Sequence, residues 1–183
     1  MAGSKHVSFS RALRISAVAS LALVAMPLTR TAAAQGKLDD PTIVAIFDAA
    51  NTYDVESASL GAKKGTTKEV RDLAKMFVRD HESVRKQGRD LAKKLHVTPT
   101  PPKDFALAKS HAETMTRLRK LKGKEFDKAF LENEVAYHKA VIDAVNTTLL
   151  PALQNAEVKQ LVTTVAPAFK AHMDAAQNLL NKQ

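Results

Sequence analysis

Beyond residue 40, apolar residues recur three or four positions apart, which is the period of amphipathic helices. Ile43, Val44, Phe47, Ala50, Tyr53 and Leu60 line a first helix over about 41–63 that ends near Gly61 to Gly65. Asp40-Pro41 reads as an N-cap with proline at the first helical position, where a missing N–H removes nothing. Thr66-Thr67-Lys68-Glu69 has the capping-box form, so a second helix over about 66–96 follows at once and pairs with the first as an antiparallel hairpin. Its seam is Val70, Leu73, Phe77, His81, Val84, Gly88, Leu91 and Leu95. It stops at Pro99, Pro101 and Pro102, which remove donors and hold the backbone extended.

A shorter, more polar helix over about 104–121 carries Phe105, Leu107, Ala108, Met115 and Leu118. Phe126, Phe130, Leu131, Glu134, Tyr137, His138, Val141, Val145 and Leu149 then define a helix over about 124–150 closed by Pro151. The last helix, over about 155–181, carries Val158, Leu161, Val162, Val165, Phe169, His172, Met173, Ala176 and Leu180. Pro167 falls inside it, and because the apolar period runs on, a kink is expected there rather than a stop. No strand alternation or glycine-rich phosphate loop interrupts the pattern. Four long helices, with a crossover of roughly 27 residues between the second and third, predict an all-α fold, a ferritin-like four-helix bundle with one long helical crossover.

The first 34 residues stand apart. Lys5, Arg11 and Arg14 form a basic start, Ile15 to Leu28 is mostly small or apolar, and Ala32-Ala33-Ala34 precedes Gln35. This is the form of a signal peptide cleaved after Ala34, so residues 35–183 are expected as one exported, periplasmic domain. Removing four of the 28 lysines and arginines leaves 24 against 19 acids, so the net charge falls from +9 to +5. That modest excess suits solubility or anionic envelope surfaces and does not point to nucleic acid. The chain has no cysteine, which excludes thiolate metal sites and redox pairs.

Histidines in apolar seams are the candidate chemistry. His81 lies at the middle of the second helix, His138 near the middle of the third long helix, and His172 about four residues past the middle of the last. At about 1.5 Å per residue these offsets are one turn or less, so three imidazoles can share one layer. They would suit a single zinc, copper, iron or manganese ion. Glu134, one turn before His138, and Asp48, Asp54 or Glu56 on the first helix are the carboxylates within reach. A hairpin centred near residue 64 puts Asp48 level with His81 and leaves Glu56 roughly 12 Å away. The bland alternative is three core histidines, each bonded to a carboxylate or tyrosine. Asp80 and Glu82 point off the seam and read as surface charges; His6, His96 and His111 are given no role.

Arg117, Arg119, Lys120, Lys122, Lys124 and Lys128 cluster at the end of the crossover. They could dock an anionic envelope surface, or form a solvated face, since Glu113, Glu125 and Asp127 are interleaved. No aromatic residues alternate with them as a single-strand nucleic-acid platform needs.

Several stretches together resemble a bacterial domain-of-unknown-function family, number 4142, often labelled predicted outer membrane protein and placed among ferritin-like folds. They are Ala49-Ala50 with Asp54-Val55-Glu56, Phe77-Val78-Arg79-Asp80-His81, Phe126-Asp127-Lys128-Ala129-Phe130 with Val135-Ala136-Tyr137-His138, and Pro167 with Ala171-His172. The resemblance implies a ferritin-like exported domain without an assigned activity. Barrel strands, which the outer-membrane label would need, are not in the pattern. Di-iron ferritin-like proteins carry Glu-x-x-His on two helices, but Val78 and Phe169 stand three before His81 and His172. One metal with histidine ligands is therefore expected over a dinuclear centre. The function expected is non-catalytic binding or an envelope-stress role, with a metal-dependent oxidoreductase or peroxide-handling enzyme, and a module docking on anionic surfaces, as alternatives.

Overall fold

Asp39, and not the Asp40 expected from the Asp-Pro pair, caps the first helix: its carboxylate accepts from the Thr42 N–H at 2.9 Å, and Pro41 lies in the first turn. That helix, α1, spans Asp40–Lys64. The next cap is likewise one residue from its expected place, with Thr67 accepting from the Val70 N–H at 3.2 Å to start α2, Lys68–Lys94. The crossover contains α3, Ala106–Lys120, and then α4 runs over Gly123–Ala144. Asn155 caps α6, Ala156–Leu180, by accepting from Glu157 and Val158 N–H groups at 2.9 and 3.1 Å. Helix α6 continues through Pro167. The computed structural model describes residues 38–183, and the signal peptide expected over residues 1–34 lies outside the described residues.

Helix α4 does not end at Pro151. It widens into a π turn over Val145–Leu149 and runs into a short α5, Leu150–Ala152. Proline has no N–H for the carbonyl four residues back and its ring crowds that carbonyl. One extra residue in the preceding turn relieves both conflicts.

The fold is all-α, with no strand among the described residues. Helix α1 lies along α2 and α4 along α6; α2 also meets α6 and α1 meets α4, while α3 rests on α1 and α4. No described helix is long and apolar enough to cross a membrane.

The core has two large apolar ends. Ile43, Phe47, Ala92, Val145, Leu149, Val162 and Phe169 belong to one. Val70, Ala74, Leu118, Phe126, Phe130 and Leu131 belong to the other. Along each long helix the buried polar residues, Asp127 apart, fall between these groups: Asn51, Asp54 and Ser57 on α1, His81 on α2, Glu134 and His138 on α4, His172 on α6. Each buried Phe or Leu contributes about 1.5–3 kcal/mol, so the ends hold a polar layer that could not hold itself.

Specific polar ties fix the helices lengthwise. Lys64 Nζ donates to the Leu118 and Arg119 carbonyls at 3.0 and 2.9 Å, closing the end of α3, and lies 4.8 Å from the Phe126 ring centre. Asp127, fully buried, accepts from the Thr66 N–H at 3.0 Å and from the Thr66 hydroxyl. Asp40 accepts from the Gln154 and Asn155 N–H groups at 2.9 and 2.8 Å, joining the starts of α1 and α6.

Gly61 lets α1 approach α4. A Cβ there would sit 2.5 Å from Cζ of Phe130, a fully buried ring. Alanine gains about 1 kcal/mol of helix propensity over glycine, but overpacking costs about 1–3 kcal/mol and this ring has no free space to enter. Gly61→Ala should therefore lower stability by up to about 2 kcal/mol in urea unfolding, whereas a raised midpoint would show that the ring yields easily.

Candidate metal centre

Helical spacing builds the centre. Asn51, Asp54 and Ser57, three residues apart, share one face of α1, as Glu134 and His138, four apart, share one face of α4. These faces meet His81 from α2 and His172 from α6. His81 Nε2 lies 3.3 Å from His138 Nε2 and 3.1 Å from His172 Nδ1. Phe77 packs on His138 and His172 with ring centres 5.3 and 4.7 Å apart, and Phe169 covers His81 at 5.4 Å.

The other nitrogen of each ring decides the tautomer. His81 Nδ1 donates to Asn51 Oδ1 at 2.9 Å, and the amide cannot be turned because Asn51 Nδ2 donates to the Phe47 carbonyl at 2.8 Å. His138 Nδ1 donates to the Glu134 carbonyl at 2.8 Å. His172 Nε2 donates to the Asp80 carboxylate at 3.1 Å. Each outward partner is an oxygen acceptor, so each neutral ring carries its hydrogen outward and its lone pair inward. Three lone pairs then face one another with no proton between them. A cation bonded to all three turns this repulsion into coordination.

The spacing fits such an ion. Donors around a tetrahedral centre with bonds of about 2.0–2.1 Å stand about 3.3–3.4 Å apart. The two nitrogen separations measured from His81, 3.1 and 3.3 Å, are of that size.

Two carboxylates adjoin the rings. Asp54 is 1 % exposed, with Oδ2 at 3.5 Å from His81 Nε2 and 3.4 Å from His138 Nε2, and neither of its oxygens has a hydrogen-bond partner. Glu134, fully buried, accepts from the Ser57 hydroxyl at 2.9 Å through Oε1, while its Oε2 has no partner. Tyr137 crosses the same region and donates to the Ala50 carbonyl at 2.8 Å.

Burial sets the proton affinities. It lowers His81 to about 2, helped by the other two rings, and lowers His138 to about 4 against the bond to the Glu134 carbonyl. Burial also lowers His172, with the Asp80 bond opposing. The carboxyls move the other way: burial raises Glu134 to about 7 against its hydrogen bonds, and raises Asp54 well above the usual range with the charge of Glu134 adding to it. Tyr137 is raised too, first by burial and then by Asp54.

The structure brings together His81, His138 and His172, with Glu134 beside them. Glu134 Oε2 is 3.8 Å from the outward Nδ1 of His138, so it flanks the ring and does not face the other imidazoles through that atom. Asp48 is directed elsewhere, pairing with Arg85 at 3.3 Å and with Arg89 at 2.6 and 2.9 Å. Glu56 meets His111 at 2.7 Å, whose ring stacks on Tyr53 with centres 4.4 Å apart. Asp80, which reads from sequence as a surface charge, is one-third exposed and holds His172 in place. Asn51 was not signalled as a partner of His81. The available sign was the polar run Asn51, Asp54, Ser57 at helical spacing inside an apolar face. Arg117, Arg119, Lys120, Lys122, Lys124 and Lys128 are all exposed, on the end of α3 and the start of α4.

Solved structures share this fold at low identity. A crystal structure of a DUF305 fragment from Deinococcus radiodurans matches with a TM-score of 0.66 and 15% identity, covering 78% of this chain and 95% of that one. CopM in its Cu(II)-bound form matches with a TM-score of 0.61 and 15% identity, covering 79% of this chain and 98% of that one. No curated protein matches the sequence. The sequence profile of the domain of unknown function DUF4142 matches residues 25–179, and the chain belongs to that family.

Proposed function

We propose that this protein is an exported, periplasmic, ferritin-like four-helix bundle that binds one transition metal ion through His81, His138 and His172. The carrying observation is the set of three outward N–H bonds, which leaves three inward lone pairs 3.1–3.3 Å from the His81 nitrogen or belonging to it. Zinc, copper, iron and manganese all accept imidazole. Copper is the first ion to test, because CopM, of similar fold, is known in a Cu(II)-bound form. The rings are only 0–6 % exposed, which favours holding an ion, in metal handling or envelope stress, over turnover of peroxide or another substrate.

The untagged protein should take up one Cu(II) or Zn(II) per chain by elemental analysis. His81→Ala, His138→Ala and His172→Ala should each weaken uptake at least about 100-fold, since each removes one of three nitrogen donors. Wild-type protein that takes up no stoichiometric metal would remove the proposal.

Stability of the metal-free protein should depend on pH through these buried groups. The histidines are lowered on folding, so their contribution is complete above about 6.5 and is lost as pH falls toward about 4 for His138 and about 2 for His81. The buried carboxyls are raised, so theirs is complete at low pH and is lost as pH rises through about 7 for Glu134. Urea midpoints should fall as pH drops below about 6.5, where the unfolded rings take up protons that the folded ones refuse, and a Glu134→Gln variant should steepen that fall, since it removes a carboxyl whose raised affinity opposes it between about 4.5 and 7.

A separate surface role follows from the six exposed bases. Of these, Lys128 is 3.9 Å from Glu132, and no ion pair engages the other five among the described residues. We propose that this face docks on anionic envelope surfaces. Binding to phosphatidylglycerol vesicles should be measurable in dilute buffer and lost by about 1 M salt, where the Debye length is about 3 Å. Binding indifferent to salt, or absent at low salt, would count against docking.

A further inference from the structure

Asp54 has no role in a centre made of three imidazoles alone, yet it is placed where water cannot reach it. It is 1 % exposed, and neither oxygen has a hydrogen-bond donor. A carboxylate stripped of water is tolerated when a cation or a proton compensates it. Its helix aims it at the centre: Asn51, one turn earlier on the same face, is bonded to His81, and Asp54 Oδ2 stands 3.5 Å from His81 Nε2 and 3.4 Å from His138 Nε2.

We propose that Asp54 is the fourth ligand, and that it fits the centre to a divalent ion in preference to monovalent copper; this rests on the three-histidine site proposed above. Four donor separations now lie between 3.1 and 3.5 Å, bracketing the value of about 3.3–3.4 Å for tetrahedral nitrogen and oxygen donors. The donor chemistry agrees. Imidazole nitrogen with carboxylate oxygen suits Zn(II) or Cu(II), whereas Cu(I) is selected by thiolate and thioether, and none of the four donors His81, His138, His172 and Asp54 carries sulfur.

Charge balance points the same way. A divalent ion bound by neutral imidazoles brings two positive charges into an apolar interior. Asp54 supplies one negative charge and Glu134 the second. Glu134 is fully buried and oriented by the Ser57 hydroxyl at 2.9 Å, and one of its oxygens lies within 4.8 Å of ligand atoms of Asp54 and His138, close enough to compensate the ion. With monovalent copper the same pair would leave one negative charge uncompensated.

The experiment uses the untagged chain, titrated separately with Zn(II), Cu(II) and, under reducing conditions, Cu(I). Asp54→Asn keeps the shape and removes a buried charge, so the metal-free variant should keep its helical circular dichroism and a urea midpoint no lower than wild type. Its affinity for Zn(II) and Cu(II) should fall at least about 100-fold and that for Cu(I) less than about tenfold, while Glu134→Gln should weaken Zn(II) about tenfold, as outer partners do. Wild-type protein labelled with 13C-aspartate provides an independent reading, in which Zn(II) should shift one carboxylate band in the infrared difference spectrum. Asp54→Asn binding Zn(II) within about threefold of wild type while His138→Ala has lost it, or no aspartate band shifting, would overturn the role of Asp54 and leave the three-histidine site standing. Wild type that takes up none of the three ions would overturn both.

Discussion

The centre depends on three hydrogen bonds that point away from it. Asn51, the Glu134 carbonyl and Asp80 each accept an imidazole N–H, and together they force the remaining nitrogens to meet as lone pairs. Each acceptor is on a helix different from its ring or one turn back on the same helix. The tautomers of His81 and His172 are therefore set by packing of the helices against one another, and that of His138 within α4, before any ion is considered. Loosening one contact, for example by freeing Asn51 from the Phe47 carbonyl, would let its amide turn and offer His81 a donor in place of an acceptor.

Apolar ends make this arrangement affordable in energy. The polar layer contains three rings with depressed basicity and two carboxyls with raised affinity for protons, all consequences of lost water. Such a layer weakens the bundle in isolation. The Phe126 and Phe130 end on one side and the Phe47 and Phe169 end on the other supply the burial that offsets it. Phe77 and Phe169 also touch the rings directly, so the packing that stabilises the fold also holds the donors in place.

Much of this was legible in the order of residues. Period and caps point to an all-α chain, and the depth of His81, His138 and His172 along their helices is enough to bring them to one level. The α1 register was harder to read. A hairpin centred near residue 64 sets Asp48 opposite His81, but α1 ends at Lys64 and α2 begins at Lys68, which moves the centre to about 66 and brings Asn51 level instead. Two residues of turn are thus enough to put Asn51 in the place of Asp48 opposite His81. Asp80 was obscured for a different reason. It lies off the seam that α2 turns toward α1, but α2 has a second neighbour in α6, and a residue off one seam can lie on the other. The π turn before Pro151 depends on how one ring and one carbonyl share space, which no periodicity records.

The depth of the rings also governs time. A metal enclosed by groups 0–6 % exposed cannot trade places with a passing chelator by collision, since no coordination face is presented to it. For the ion proposed above, release would have to wait until a helix lifts, and α6 is the natural one, because His172 is the most exposed of the three rings and its anchor Asp80 is one-third exposed and shared with Arg79. Residence would then follow the opening rate of the bundle, and a protein built this way would serve as a slow vault for its cargo, ill suited to rapid ferrying.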